Sequence, residues 1–120
     1  MIVAKSMEFC AAHYLPNYEG KCSQMHGHTW KVELAVKGEV DEETGMVVDF
    51  TEIKAFLDGV KDKFDHTLLN DIIPNPTAEN ICLWIKDELG SMGKIGGNIW
   101  LELAWIKVWE AADSYAMVEG

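Results

Sequence analysis

Three histidines in two short segments of this sequence could form a metal site. His13 ends the segment that begins at Ala11, and His26 and His28 flank Gly27. Alternate residues of a β-strand point to the same side, so a strand here would place His26 and His28 on one face. Zinc in catalytic sites takes three protein ligands and leaves one position open for water or substrate. The three histidines therefore predict a site for one zinc ion.

A cysteine lies four residues before the histidine pair. Cys22 could be a fourth metal ligand or a base, and its spacing from His26 does not decide between the two. A thiol beside a cation loses its proton more easily than a free thiol, so we expect Cys22 to act as the proton acceptor of the site. The competing interpretation is an inert thiol that packs as a small hydrophobic side chain.

Length and charge limit the classes of function. The 120 residues, of which 48% are hydrophobic, suit one compact domain spanning residues 1–120. The formal net charge of −10 disfavours binding to nucleic acid or to anionic membrane surfaces. With no leader or membrane-spanning segment and an odd number of cysteines, we expect a cytoplasmic protein.

Hydrophobic periodicity predicts strands at both ends of the chain and helices between them. Residues 2–14 and 28–40 have strand character, as do the segment from Ile99 to Glu110 and the shorter one from Ser114 to Val118. We expect these strands to form an antiparallel sheet.

Two amphipathic helices are predicted between these strands. The first carries apolar residues at helical spacing up to Phe64 and could be capped by Asp49 or Thr51. The second is capped by Thr77 and ends at Gly90, before a glycine-rich loop that reaches residue 97. The order ββααββ indicates an α+β fold with both helices on one face of the sheet. The exposed sheet edges favour an oligomer.

Six ordered motifs resemble one known family. The chain resembles the 6-pyruvoyltetrahydropterin and 6-carboxytetrahydropterin synthases of the tunnelling fold. That resemblance implies a trimer that closes a barrel, or a homohexamer of two trimers, with active sites at subunit interfaces. The motifs are Phe9 to His13, Cys22 with His26 to His28, Gly45 to Phe50, Asp65-His66 with Leu69-Asn70, Pro76-Thr77 with Glu79-Asn80, and Glu110.

The three residues between Cys22 and His26 resemble the bacterial carboxytetrahydropterin synthases of the queuosine pathway. The resemblance implies a zinc-dependent lyase that converts 7,8-dihydroneopterin triphosphate into 6-carboxytetrahydropterin, acetaldehyde and triphosphate. The alternatives are a 6-pyruvoyltetrahydropterin synthase, another activity of this fold such as an aldolase or a cyclohydrolase, and a noncatalytic pterin-binding module.

The resemblance also assigns roles to single residues. It implies that zinc binds His13, His26 and His28, and that His66, oriented by Asp65 or by another carboxylate, relays protons within its own subunit or to a neighbouring one. Glu110 would bind the adjacent N–H and amino groups of the pterin ring, since these donors match two carboxylate oxygens. Thr77 and Glu79 would contact the pterin as well. The competing interpretations are a surface position for Glu110 and a helix cap for Asp65 and His66.

Overall fold

Four antiparallel strands form one sheet, and two helices cover one of its faces. The computed structural model describes residues 1–91, 95 and 100–120 of the chain. Its sheet has the order β1-β2-β3-β4, and the predicted α+β fold is confirmed. The elements are β1 Ile2–His13, β2 His26–Lys37, α1 Phe50–Phe64, α2 Ala78–Ser91, β3 Glu102–Ala111 and β4 Ser114–Glu119.

The two histidine segments lie on neighbouring strands and pair with each other. β1 and β2 are antiparallel, with His13 opposite His26 and Ala11 opposite His28. β2 begins at His26, two residues before the predicted start at His28, because this pairing extends the ladder to the end of β1. On the helix-covered face of β2 the histidines are followed by the buried Trp30. The histidines therefore stand at one end of the hydrophobic core.

Both helices begin where the sequence predicts. Asp49 caps α1, since its carboxylate accepts a hydrogen bond from the backbone N–H of Thr51 at 2.9 Å. Thr77 caps α2 by accepting from the N–H of Asn80 at 3.1 Å. The predicted end of α2 at Gly90 is wrong, because the helix continues to Ser91. Glycine permits a helix to end but does not force it to do so.

The last two strands differ slightly from the predicted ones. β3 begins at Glu102, and its predicted start at Ile99 lies outside the described residues, as do residues 92–94 and 96–97 of the predicted loop. β4 ends at Glu119, one residue beyond the prediction. Between Trp109 and Ala111 the pairing with β4 shifts by one residue, and this β-bulge contains Glu110.

One edge of the sheet is partly covered by the segment after α1. The N–H of His66 donates to the carbonyl of Cys10 at 2.6 Å, and the N–H of Ala12 donates to Thr67 at 3.0 Å. The side chain of Asn70 then bonds both backbone groups of Tyr14, at 3.0 and 2.9 Å. Residues 65–70 therefore hold the last third of β1, including the neighbours of His13 on both sides.

Candidate active site

Four side chains from three adjacent strands converge at the end of the core. They are His13 of β1, His26 and His28 of β2, and Glu110 of β3, and one ligand atom from each lies within 4.8 Å of all the others. His13 is fully buried. Strand alternation accounts for the arrangement, because all four residues lie on the face of the sheet that carries the core.

Backbone carbonyls orient two of the three imidazole rings. His13 Nδ1 lies 2.8 Å from the carbonyl oxygen of Pro76, and His26 Nδ1 lies 2.8 Å from that of Gln24. A carbonyl can only accept, so each Nδ1 carries a proton and donates it. In the neutral rings the Nε2 atoms are then unprotonated, and these two atoms face each other at 3.0 Å. Two lone pairs at this distance require a cation or a shared proton between them.

The third imidazole supplies an unpartnered nitrogen. Nε2 of His28 is inaccessible to solvent and has no hydrogen-bond partner among the described residues. Burial lowers the pKa of His28, and the nearby His13 and His26 lower it further, whereas Glu110 opposes the shift. A neutral imidazole with an unused lone pair on a buried nitrogen is the state in which histidine binds a metal ion.

Glu110 approaches the histidines through one carboxylate oxygen. Its Oε1 lies 3.2 Å from His13 Nε2 and 3.4 Å from His28 Nε2. The β-bulge beside β4 sets the position of this side chain, which is 37% exposed. The Oε1 atom of Glu110 thus lies against the imidazoles, and the rest of the carboxylate is accessible to solvent.

The donor set fits a zinc ion. Three imidazoles and a carboxylate are ligands that zinc accepts, and backbone carbonyls behind two of the rings are the outer-shell partners usual for metal-binding histidines. The unpartnered nitrogen of His28 is the most direct sign of the fit. A metal ion held here would supply positive charge for polarising substrate oxygens.

A recess adjoins the cluster on the side of α2. Its volume is about 450 Å³, and two carboxylates, Glu79 and Glu110, line it together with Ala78 and the segment from Ser114 to Met117. Two carboxylates in one recess favour a ligand that presents several N–H or amino donors. The hydroxyl oxygen of Thr77 accepts from Asn80, so Thr77 serves the helix terminus beside this recess.

Cys22 lies outside the group of converging ligand atoms. It occupies a single 3₁₀ turn, Lys21–Ser23, between β1 and β2, and its side chain is partly exposed. Its carbonyl accepts from the N–H of Leu15 at 2.8 Å, which ties this turn to the chain just after β1. No contact of the thiol with the histidines is observed in the described residues.

Asp65 and His66 form a pair at the edge of β1 rather than at the cluster. Asp65 Oδ1 accepts from the N–H of Cys10 at 2.9 Å, and Asp65 Oδ2 lies 2.9 Å from His66 Nδ1. The hydrogen bond from Cys10 lowers the pKa of the Asp65 carboxyl, and His66 lowers it further. The His66 side chain is 81% exposed and points to solvent.

The sequence did not predict two of the groups that orient the histidine rings. The carbonyls of Pro76 and Gln24 fix His13 and His26, and a backbone carbonyl carries no signature of its own in a sequence. The closeness of Glu110 to the histidines could have been expected, because Glu110 continues the inward-facing alternation of Ile106 and Val108 on β3.

Comparison with known proteins places this chain in one family. The profile of the family 6-pyruvoyl tetrahydropterin synthase matches residues 2–120. The chain therefore belongs to the 6-pyruvoyl tetrahydropterin synthase family, as the sequence motifs predicted. In the described residues, no helix has the length and apolar character needed to cross a bilayer.

Relatives that carry different functional names align with most of this chain. An Archaeoglobus fulgidus protein provisionally named 6-carboxy-5,6,7,8-tetrahydropterin synthase is 43% identical over 118 residues, covering 98% of this chain and 95% of the relative. The 6-carboxy-5,6,7,8-tetrahydropterin synthase of Synechocystis sp. is 42% identical, with 79% of each chain covered. The dihydroneopterin monophosphate aldolase of Pyrococcus furiosus is 38% identical, covering 85% of this chain and 82% of the relative.

A solved structure agrees with the fold. The 6-pyruvoyl tetrahydropterin synthase of Caenorhabditis elegans superimposes with a TM-score of 0.85 at 25% identity, covering all of this chain and 95% of the other.

Proposed function

We propose that this chain is a zinc-dependent lyase that converts 7,8-dihydroneopterin triphosphate into 6-carboxy-5,6,7,8-tetrahydropterin, acetaldehyde and triphosphate, with uptake of one water. Its product would serve 7-deazapurine biosynthesis of the queuosine type. The observation that carries the proposal is the convergence of three imidazole Nε2 atoms beside a recess lined by Glu79 and Glu110. The carboxytetrahydropterin synthases among the relatives support the choice of product.

His13, His26 and His28 would hold the zinc ion, which would polarise the side-chain oxygens of the substrate and favour loss of their protons. Glu110 would accept hydrogen bonds from the paired N–H and amino groups of the pterin ring. Its partly exposed carboxylate opens into the recess, and its position beside two imidazoles brings the ring close to them. Glu79 and Thr77 would contact the same ring from the start of α2.

Cys22 would take a proton from the substrate side chain, and His66, held by Asp65, would return one. Cys22 lies outside the group of converging ligand atoms, and the exposed His66 pairs with Asp65 instead. We therefore propose that subunits assemble so that His66 of one copy reaches the site of another. A homohexamer built from two trimers satisfies this requirement, and light scattering after size-exclusion chromatography tests it. A catalytically active monomer at micromolar concentration would contradict it.

The production of acetaldehyde tests the preferred reaction. Cleavage of a pyruvoyl side chain by water gives a carboxylate and acetaldehyde, whereas a pyruvoyl synthase stops before this step. Incubation of the zinc-loaded protein with dihydroneopterin triphosphate should therefore release acetaldehyde, detectable by coupled reduction with NADH. A pyruvoyl product formed without acetaldehyde would assign the chain to the other branch. The absence of any turnover would favour a noncatalytic pterin-binding module.

An aldolase reaction is a second candidate, favoured by the Pyrococcus furiosus relative. Cleavage of dihydroneopterin monophosphate between the first two side-chain carbons gives 6-hydroxymethyl-7,8-dihydropterin and glycolaldehyde phosphate. The two candidates therefore release different aldehydes from different phosphate esters. Parallel incubations with the monophosphate and the triphosphate, analysed by mass spectrometry, separate them.

The substitution Glu110→Gln tests whether the carboxylate serves the ring or the metal. If Glu110 binds the pterin, the variant should bind a pterin product at least 10-fold more weakly, because one ring donor would face the new amide nitrogen. Its zinc affinity should stay within about threefold, because the three imidazoles are intact. A large loss of zinc with unchanged pterin affinity would make Glu110 a metal ligand instead.

A further inference from the structure

We infer that Asn80 is a positioning residue for the metal centre and acts on His13 through the backbone at Pro76. The inference rests on the proposed metal-dependent function. It concerns a residue that does not line the recess and whose backbone N–H and side-chain amide bond to the turn before α2.

The first link is the peptide group between Pro76 and Thr77. Its carbonyl oxygen is the acceptor for His13 Nδ1 at 2.8 Å, in a contact that is fully buried. The N–H of the same peptide donates to the carbonyl of Asn75 at 2.9 Å. A hydrogen bond from the N–H of residue i+2 to the carbonyl of residue i defines a γ-turn, here with Pro76 at its centre. Proline restricts the φ angle of this central residue. The orientation of this peptide therefore sets the orientation of the His13 ring.

The second link is the side-chain amide of Asn80. Its Nδ2 donates to the carbonyl of Asn75 at 2.9 Å, so that this oxygen accepts from both Asn80 and Thr77. The backbone N–H of Asn80 meanwhile donates to the Thr77 hydroxyl at 3.1 Å. Asn80 thus binds the residues on both sides of Pro76. The capping bond alone needs only a backbone N–H, whereas the bond to Asn75 needs an amide side chain.

The consequence concerns the affinity of the site for zinc. Outer-shell partners of metal-binding histidines fix the ring and its tautomer, and their loss typically weakens metal binding ~10–100-fold. Asn80 acts on the turn around Pro76 and not on the His13 ring itself, so it is one hydrogen bond further from the metal than an outer-shell partner. We therefore expect its loss to weaken zinc binding by about 3- to 30-fold, with the His13 ring no longer held in one tautomer.

The test compares Asn80→Asp with the unchanged protein. Aspartate keeps the shape of the side chain but offers no donor to Asn75 at neutral pH. Asn80→Ala provides a second variant if the aspartate variant fails to fold. Asp49→Ala is the matched control, because it removes a side-chain bond at the start of α1 and leaves the hydrogen bonds around Pro76 intact. Thermal unfolding establishes that the variants compared are folded.

Two measurements decide the inference. Competition with a chromophoric chelator gives the zinc affinity, which should fall 3- to 30-fold in the Asn80 variants and stay unchanged in Asp49→Ala. Long-range ¹H–¹⁵N spectra of the zinc-free proteins should show His13 as the Nδ1–H tautomer in the unchanged protein and the control, but exchange-broadened in the variants. Zinc affinity within twofold of the unchanged protein, together with an unaltered His13 tautomer, would overturn the inference.

The same measurements separate this inference from the proposed function. If the unchanged protein binds no zinc, the proposed function fails. The tautomer of His13 in the zinc-free protein then decides alone whether Asn80 positions the ring: loss of the single tautomer in the Asn80 variants supports the inference, and its retention overturns it.

Discussion

Nδ1 of His66 lies 2.9 Å from Oδ2 of Asp65, and the backbone of His66 has a φ of 60°. Among the described residues other than glycine, His66 alone has a positive φ. Such a conformation costs a residue with a side chain about 1–2 kcal/mol. The surrounding bonds to Cys10 maintain it, which is typical of residues held for function rather than for stability.

Replacement of His66 by glycine should therefore separate stability from activity. Because the side chain is 81% exposed, little packing is lost, and glycine relieves the strained φ. We expect the free energy of unfolding of His66→Gly to be unchanged or higher by up to about 1 kcal/mol, while turnover falls at least 100-fold. Urea unfolding and the acetaldehyde assay measure the two effects. Retained turnover would remove His66 from the proposed chemistry.

Loss of His28 should abolish tight metal binding. Its buried Nε2 makes no hydrogen bond in the described chain, so His28→Ala removes a metal ligand without breaking an internal hydrogen bond. Zinc affinity should fall by more than the ~10–100-fold that an outer-shell loss costs. The rise in Tm on zinc addition should disappear with it. His66→Ala is the control and should bind zinc normally, and equal affinity in both variants would exclude His28 as a ligand.

The metal-free protein should lose stability as the pH falls below neutrality. Burial lowers the pKa of His28 from its ordinary value of 6.5, so the unfolded chain takes up this proton at a higher pH than the folded chain. Where the unfolded state binds more protons, stability rises with pH, and acidification through this range must therefore lower it. Urea unfolding after chelation, between about pH 7.5 and 5.5, should show a smaller decrease for His28→Leu. An identical decrease would mean that His28 does not titrate abnormally.

The cysteines should differ sharply in reactivity. Burial raises the pKa of the Cys82 thiol to about 11, and its Sγ lies 3.3 Å from the carbonyl oxygen of Ala116. At pH 8 only about one Cys82 in a thousand is then a thiolate, the form that reacts. Iodoacetamide should modify the exposed Cys10 in the native protein but reach Cys82 only after unfolding. Peptide mass spectrometry distinguishes the two, and equal native rates would contradict the buried position.

Local sequence signals predicted most of the fold but not all of its boundaries. The alternation in β2 and the caps Asp49 and Thr77 depend on neighbouring residues, and the structure contains all three. The start of β2 at His26 and the end of α2 at Ser91 were missed. The first depends on pairing with His13, which is distant in sequence, and the second on a glycine that remains helical. Contacts between strands leave no local pattern in the chain.

The candidate site likewise combines features that local sequence predicts with features that depend on distant parts of the chain. His26 and His28 share a face because of strand alternation, which the sequence displays directly. The acceptor for His13 is the carbonyl of Pro76, 63 residues away, and only the packing of α2 against the sheet brings it there. The proposal that a second copy supplies His66 would depend on contacts between chains, which leave no local pattern in the sequence. The roles proposed for the predicted site residues therefore remain predictions.

Residues 65–70 also limit how a second sheet could join this one. They occupy the edge of β1 beside Cys10 to Tyr14, so a strand from another copy could pair there only along Ile2 to Glu8. β4 is the opposite edge of the sheet and could pair over its length. Two sheets joined in this way are offset along the strand direction. In a closed barrel, a stagger of this kind tilts the strands relative to the barrel axis. The turn that presents His66 would therefore also set the strand tilt of a barrel formed by several copies.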